Sequence, residues 1–232
     1  AFCRDAVSAF DALPLLGASR RPRIGVVGEI LVKFHPGANG DIVGAIEAEG
    51  AEAVVPDLYG FLLYCCYNAI FRRKKLSGGL AAELGSRLAI GALELLRAPA
   101  DRALRRSTRF EAPPRIGQLA ASVGGIVQLG NCTGEGWFLT AEMLELIEGG
   151  ADGIACLQPF ACLPNHVTGK GVLKELRRRH PEVPIAAIDF DPGTSEVNQE
   201  NRLKLLIDNA RRGRRRGAGP GAGGTGDAQR AG

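Results

Sequence analysis

The sequence predicts an α/β fold, in which a Rossmann-like parallel sheet is flanked by helices and interrupted by a helical insert. In two stretches, 23–56 and 152–207, short apolar runs alternate with segments of helical period. Polar residues collect directly after these apolar runs, and open α/β sheets bind ligands beyond the carboxyl ends of their strands. We therefore expect both stretches to belong to one sheet with a composite site at its edge.

The first stretch is a βαβ unit preceded by a helix. Its predicted elements are a helix over 6–13, a strand over 23–28, a loop over 34–39, a helix over 42–49 and a strand over 53–56. Gly50 closes the second of these helices and Pro56 stops the second strand. Because such crossovers are right-handed, the two strands should run parallel.

The middle of the chain is predicted to be helical, and the second stretch repeats the strand–helix pattern. The helices are expected over 58–73, 81–96, 116–129, 140–148, 167–179 and 196–209, with strands over 153–157 and 185–188. Thr140 and Ser195 are candidate N-caps, because a side-chain oxygen before a helix accepts a hydrogen bond from its first turn. Residues 97–114 are basic and mixed, and end in two prolines.

These patterns divide the chain into five parts. They are an N-terminal helix in 1–22 that continues an upstream domain, a βαβ part in 23–72, a helical insert in 73–114, a second α/β part in 115–210 that carries the site loops, and a disordered Arg/Gly-rich tail in 211–232. The opening residue is Ala1 and a helix follows at once, which suggests the C-terminal portion of a longer polypeptide.

Charge and composition exclude some functional classes. The net charge of +4 is exceeded by the five arginines within 211–216, so the folded part is close to neutral and specific nucleic-acid binding has no support. No apolar run has the length of a membrane span, and no signal peptide is visible. Six cysteines in 232 residues are too few for a disulfide scaffold, which favours a reducing, cytoplasmic location.

Five segments carry a resemblance to a known family. They are 28–33, 36–39, 134–140, 158–166 and 191–201. Together these segments resemble the 2-hydroxyacyl-CoA dehydratase family, and within it the acyl-CoA dehydratase activase-related proteins, also called CoA-substrate-specific enzyme activases. The resemblance runs from about residue 5 to about residue 209, and it implies a Rossmann-like fold.

The resemblance implies part of a lyase-type enzyme system that depends on an iron–sulfur cluster, expected to be of the 4Fe–4S type. In such systems an ATP-driven activator delivers a low-potential electron, and an acyl-CoA-type substrate then loses water. This chain has no phosphate-cradling glycine-rich loop of ATPase type, so it corresponds to the dehydratase-like portion, with the activator as its partner. Neither a membrane nor a nucleic acid is expected as a partner, and an oligomer is possible.

Under the resemblance, the cluster ligands are Cys132, Cys156 and Cys162, because iron–sulfur clusters are commonly held by four thiolates. Three thiols are one short, so an upstream segment or an external ligand completes the set, or no cluster is bound. Cys156 lies inside a predicted strand, where a buried structural thiol is an equal alternative. Cys65 and Cys66 lie on an apolar helix and are expected to be structural.

The candidate catalytic residues are Glu29, Glu135 and His166. Glu29 follows the first strand and Glu135 lies between two glycines, where a carboxylate can act as a general base. The alternative for both is a carboxylate that caps a loop or pairs with a lysine. His166 can donate to a thioester oxygen, or it can act as a cap at a helix start.

Gln158, Asn165 and Lys170 are the candidate substrate-binding residues: two amides, and an ammonium group suited to a CoA phosphate. A solvated lysine is the alternative for Lys170. Asp189 and Asp191 precede a helix, where they would repel an anion, so they are expected to fix the loop.

Two other functions compete with the dehydratase-like component. One is a non-catalytic scaffold or electron-relay domain of a larger activase protein, which would hold a cluster without turning over a thioester. The other is a Rossmann-like module for a small anion, which would contain no iron and would leave every thiol free to titrate.

Overall fold

Four parallel strands form one sheet in the order β2-β1-β3-β4, with helices on both faces. The computed structural model describes residues 2–15, 20–193 and 195–217. The strands are β1 (Arg23–Gly28), β2 (Glu52–Val54), β3 (Gly153–Gln158) and β4 (Ile185–Asp189). The predicted Rossmann-like α/β class is confirmed, and both strand–helix stretches contribute to the same sheet.

Eleven α-helices lie among the described residues. They are α1 (Phe2–Asp11), α2 (Ile30–Phe34), α3 (Pro36–Asn39), α4 (Ile42–Ala48), α5 (Leu58–Lys75), α6 (Leu80–Leu104), α7 (Ile116–Ser122), α8 (Gly136–Glu148), α9 (Leu163–Thr168), α10 (Leu173–Arg179) and α11 (Glu196–Gly217). A single 3-10 turn, Lys170–Val172, joins α9 to α10.

The order of the strands creates a switch point between β1 and β3. The chain leaves β1 for β2 on one side and returns to β3 on the other. Val27 is paired with Cys156 across the central two strands, and Gln158 with Asp189 across β3 and β4. In doubly wound sheets, ligands bind beyond the carboxyl ends of the strands at such a point.

The hydrophobic core lies in two layers, one on each face of the sheet. Because side chains alternate along a strand, Ile154 and Cys156 of β3 pack with α8, while Ala155 and Leu157 pack with α11. The first layer is built around Trp137 of α8 and includes α5, α7 and α10. The second is formed by α2, α4 and α11.

The segment expected to be a loop over 34–39 belongs to two short helices, α2 and α3. Glu29 caps α2 because its Oε2 accepts a hydrogen bond from the N–H of Val32 at 2.9 Å. The buried amide of Asn39 donates to the Val32 carbonyl at 2.7 Å and accepts from the N–H of Ile42 at 3.1 Å. These local bonds order a segment whose apolar pattern is too short to reveal a helix.

The helix expected from Thr140 begins earlier, at Gly136, so Thr140 is not an N-cap. Thr140 is fully buried inside α8, and its hydroxyl donates to the Thr168 carbonyl at 2.7 Å. That bond occupies a carbonyl at the end of α9, where the predicted continuous helix over 167–179 is broken. The helix expected over 116–129 likewise ends at Ser122.

The predicted insert, 73–114, consists mainly of α6, which packs against α5 and extends to Leu104 rather than to residue 96. The hydroxyl of Tyr59, at the start of α5, donates to the Leu93 carbonyl of α6. The guanidinium of Arg97 lies over the Tyr59 ring, with its carbon 5.4 Å from the ring centroid. Across the described ranges, no helix is both long and apolar enough to cross a membrane.

Part of the predicted disordered tail is helical, because α11 continues to Gly217. Arg211 donates to the Glu49 carbonyl, and Arg214 donates to the Arg21 carbonyl at 2.6 Å. Charge composition alone predicted disorder, whereas these guanidinium groups bind backbone oxygens on other elements. The rest of the predicted tail, 218–232, lies outside the described residues.

Candidate functional site

The carboxyl edge of β1, β3 and β4 gathers most of the residues predicted to form a site. Glu29 follows β1, Gln158 ends β3 and Asp189 ends β4. The amino-terminal end of α8 and the helix α9 lie beside them, and they supply the remaining polar groups. Residues from four separate segments of the chain therefore meet where a parallel sheet binds its ligands.

A hydrogen-bonded network joins Glu29, Glu135 and Asn165. One oxygen of Glu135, Oε1, accepts from the N–H of Ile30 at 3.0 Å. The Asn165 amide is oriented so that its nitrogen donates to Oε2 of Glu135 at 2.8 Å, while its oxygen accepts from the N–H of Glu29 at 3.0 Å. Both Glu135 and Asn165 are buried. The network fastens the end of β1 to α8 and α9.

Both oxygens of Glu135 are therefore occupied by donors from the protein. Burial raises the pKa of this carboxyl, and the nearby Glu29 carboxylate raises it further, against the lowering effect of the Ile30 N–H. These bonds agree better with the alternative prediction, in which the Glu135 carboxylate caps a loop, than with a role as a general base. Glu29 also has a capping role, but only its Oε2 is used. Its Oε1 takes part in none of the hydrogen bonds found among the described side chains.

A buried ion pair holds α2 against α8 close to this network. Nζ of Lys33 lies 2.7 Å from Oε1 of Glu142, and the two side chains are only 1% and 2% exposed. Burial raises the pKa of Glu142, and the ammonium group of Lys33 opposes this shift. Together with the Ile30–Glu135 bond, the pair attaches both ends of α2 to α8.

A second network runs from α9 to the ends of β3 and β4. Nδ1 of His166 lies 3.0 Å from the Cys162 carbonyl, so it carries the proton and Nε2 is the acceptor. Nζ of Lys170 lies 3.4 Å from that Nε2 and 2.7 Å from Oδ1 of Asp189. The same Oδ1 accepts from the Gln158 amide at 3.1 Å.

The charge of Lys170 is already matched within the protein. Burial would raise the pKa of Asp189, but its bonds with Lys170 and Gln158 hold that pKa below the ordinary value. Asp191 in turn accepts from the N–H of Phe160 at 2.8 Å. Both aspartates thus fix loops, as expected, and Lys170 is a member of an ion pair rather than a solvated lysine.

Gln158 contributes a buried acceptor without a partner. The side chain is completely buried, and its Oε1 accepts no hydrogen bond from any described residue. An unsatisfied buried polar atom costs about 1–3 kcal/mol, and such atoms mark sites where a water molecule or a ligand completes the bonding.

The three predicted cysteine ligands occupy different environments. Cys156 is completely buried in β3, and burial raises its pKa to about 12, which disfavours the thiolate that binds a metal. Cys162 is half-buried before α9, close enough to Glu135 and Glu29 for their charges to add to the effect of burial and raise its pKa. Cys132 lies before α8 with its Sγ 3.9 Å from an Arg72 guanidinium nitrogen.

These thiols do not form a ready ligand set. Within 2–15, 20–193 and 195–217, no group of three or more His, Cys, Asp or Glu side chains lies close enough together to hold a metal ion. The residues as placed therefore do not fit an iron–sulfur cluster held by Cys132, Cys156 and Cys162 alone.

The structure adds α5 to the site, which sequence reasoning did not. The Tyr64 hydroxyl donates to the Gly134 carbonyl at 2.9 Å, beside the Glu135 turn. Burial raises its pKa to about 12, with smaller contributions from Cys132, Cys65 and Glu135. The amide of Asn68 accepts from the Trp137 ring N–H at 3.0 Å. An Asn within an otherwise apolar helix was the available signal.

Apolar side chains stand exposed on the same segments. Phe160 lies in the β3–α9 loop, Leu163 begins α9 and Leu31 lies two residues after Glu29, and all three are more than half exposed. Between Phe160 and Cys162, Ala161 has a φ of +59°, a left-handed conformation that non-glycine residues rarely adopt. Strained residues of this kind concentrate at functional sites.

Comparison of the chain with family models, with curated proteins and with solved structures finds no match.

Proposed function

We propose that this chain is a dehydratase-like component that binds an acyl-CoA-type substrate at the carboxyl edge of β1, β3 and β4 and works with an ATP-driven activator. The observation that carries the proposal is that four of the five segments that resemble the dehydratase family contact one another at this edge of the sheet. Segments 28–33 and 134–140 are joined through Glu135, 158–166 joins them through Asn165, and 191–201 binds 158–166 through Asp191.

The acidic character of the edge argues against the small-anion alternative. Glu29, Glu135, Asp189 and Asp191 outnumber the two nearby ammonium groups, Lys33 and Lys170, and each of these is already paired with a carboxylate. An anion would meet a negative field there. The neutral hydroxyacyl part of the substrate suits this acidic edge better than a phosphate does, because its hydroxyl group can donate to a carboxylate. The CoA phosphates are therefore expected to lie away from this network.

Loss of water from a hydroxyacyl thioester breaks one C–O bond and one C–H bond and forms a carbon–carbon double bond, and the proton leaves with the departing hydroxide as water. The site therefore needs a group that accepts this proton and passes it to the hydroxide, and a donor to the carbonyl oxygen. Glu29 is proposed as the acceptor, because its Oε1 is not committed to the fold. Lys170 is proposed as the donor to the carbonyl oxygen, and His166 is proposed to position Lys170, because the acceptor Nε2 of His166 lies 3.4 Å from Nζ of Lys170.

An iron–sulfur cluster supplies one-electron chemistry in the resembled family. For this chain, Cys132 and Cys162 remain the candidate ligands, Cys65 joins them because it lies near the same turn, and Cys156 is the weakest. Since no described group forms a metal site, a bound cluster needs further ligands from a partner.

The first experiment measures iron, sulfide and the visible spectrum after purification without oxygen, and compares Cys162→Ser with Cys3→Ser, a thiol on α1. The second titrates an acyl-CoA by calorimetry into the wild type, Glu29→Gln and Lys170→Met, with the exposed Lys174→Met as control. Binding weakened about tenfold or more in the two site variants only is the expected result.

A protein that binds no acyl-CoA under any condition contradicts the proposal. A protein that holds a cluster and turns over no thioester in the presence of an activator is instead the scaffold or electron-relay domain.

A further inference from the structure

The outer face of α6 is an exposed apolar surface. Leu80, Leu84, Leu88, Leu95 and Leu96 are each between 57% and 76% exposed. At 100° per residue they fall on one side of the helix together with Ala81, Gly91 and Pro99. From Leu88 to Pro99 this side carries no charged residue. We call it the α6 face.

The opposite side of α6 already has a partner, because Ile90 and Leu93 pack into the core beside α5. One stripe along α6 is formed by the charged residues Glu83, Arg87, Glu94, Arg97 and Asp101. The helix therefore has two apolar sides, of which one packs on the core and the other, the α6 face, is exposed. Segment 218–232 contains only Gly, Ala, Pro, Thr, Asp, Gln and Arg, so it offers no large apolar side chain to cover the α6 face.

The α6 face is complementary to itself when two copies run antiparallel. A two-fold axis between Ala89 and Ile90 brings Leu88 of one copy opposite Gly91 of the other, and Leu84 opposite Leu95. Gly91 offers the space that Leu88 needs, because a Cβ built there meets no atom within 4 Å. A protruding leucine is therefore matched to a gap twice, once on each side of the axis.

We propose that a second copy of this chain docks on the α6 face and forms an antiparallel α6–α6 interface. Residues 80–99 span ~30 Å of a helix ~10 Å wide, on the order of 500 Å² of surface for each copy once curvature is included. Two such faces bury about 1,000 Å², which is the lower bound for a specific interface. A patch of this size is at the upper end of what monomers expose.

The interface has a characteristic salt dependence. Arg102 continues the α6 face, and in the antiparallel arrangement it approaches the basic end of the partner's α5, where four cations lie in the last turn. Like charges at the two rims oppose pairing, so added salt should strengthen the dimer by screening them.

The test is sedimentation velocity of the whole chain over a range of concentrations at low and high salt. A dimer that strengthens with salt is expected. Gly91→Leu should raise the dimer dissociation constant about tenfold or more, because the new side chain meets Leu88 of the partner. The swapped variant Leu88→Gly/Gly91→Leu should restore pairing, since it exchanges the leucine and the gap. Leu205→Glu, at an exposed leucine of α11, is the matched control.

Gly91→Leu tests the interface without threatening the fold, because the position is open in the monomer and helix propensity favours leucine over glycine. Its melting temperature should therefore not fall. A chain that stays monomeric at all concentrations overturns the proposal, as does a dimer that Gly91→Leu leaves intact. Binding to anionic lipid vesicles that weakens with salt assigns the α6 face to a membrane surface and also overturns it.

Discussion

At the scale of single residues, Glu145 is the clearest case of a carboxyl group whose surroundings change its chemistry. It lies on α8 in a cleft that Asp57 and Arg97 also line. Burial raises its pKa to about 7, and the charges of Glu142 and Asp57 act in the same direction, against Arg97. The folded protein therefore keeps a proton that the unfolded chain releases.

This shift predicts how stability depends on pH. Between the ordinary pKa of 4.5 and about 7 the folded state binds more protons than the unfolded state, so the free energy of unfolding falls as pH rises through this window. Glu145→Gln mimics the protonated form and should flatten that dependence, leaving the variant about 1–2 kcal/mol more stable than the wild type at about pH 8.

Urea unfolding at about pH 5 and about pH 8 measures the effect. Glu148→Gln changes an exposed carboxylate three residues further along α8 and is the control. An equal pH dependence in Glu145→Gln and the wild type would contradict the prediction.

At the scale of elements, α8 depends on an unusual start. Gly136 has a φ of +48°, and a Cβ there would overlap the Asn131 carbonyl oxygen, to which the Trp137 N–H donates at 2.7 Å. This turn places Trp137 beneath the site and lets Glu135 reach Ile30. Only glycine fits, because it alone combines the left-handed conformation with a close backbone approach.

Two glycine-to-alanine changes should therefore have opposite signs. Gly136→Ala is expected to lower the free energy of unfolding by about 2 kcal/mol or more, because it adds strain and a clash. Gly85→Ala lies within α6 in open space, and it should raise the same free energy by about 0.5–1 kcal/mol through helix propensity. Thermal and urea unfolding of both variants check the pair, and a stable Gly136→Ala protein would refute the account of this turn.

At the scale of the whole molecule, α11 is tied to the amino edge of the sheet. Arg211 binds the carbonyl after α4, and Arg214 binds Arg21 and lies 3.4 Å from Asp152, just before β3. These contacts join the last helix to the loops that precede β1, β2 and β3. The arginine-rich segment therefore stabilises the fold up to Gly217.

Removing both contacts should be measurable. Arg211→Ala/Arg214→Ala is expected to lower the free energy of unfolding by about 1–3 kcal/mol, because hydrogen bonds from charged donors are among the stronger ones. Arg212→Ala removes an equal charge that is paired only with Asp208 on the same helix, and it should change stability by less than about 0.5 kcal/mol. If Arg212→Ala lowered the free energy of unfolding as much as the double variant does, the loss of positive charge near the end of α11 would explain the effect, and the two contacts would not.

Local patterns in the sequence were sufficient for the sheet and for the location of the site. Short apolar runs predicted β1, β3 and β4 to within a residue or two. The parallel pairing of β1 with β2 followed from the βαβ crossover that joins them. Since parallel strands end at one edge, the approach of Glu29, Gln158 and Asp189 could be expected before any coordinates. The proposed substrate and cluster stay predictions.

Apart from the short helices α2 and α3, which local bonds order, the main features that sequence reasoning did not foresee depend on contacts between distant segments. The Lys33–Glu142 pair spans 109 positions, and the bond from Arg211 to Glu49 spans 162. The predicted strand left Cys156 open as either a ligand or a buried structural thiol, and the packing of the sheet between two helical layers decides for the buried thiol. A side chain's neighbours through space set its burial, its charge and its partners, and periodicity along the chain carries no record of them.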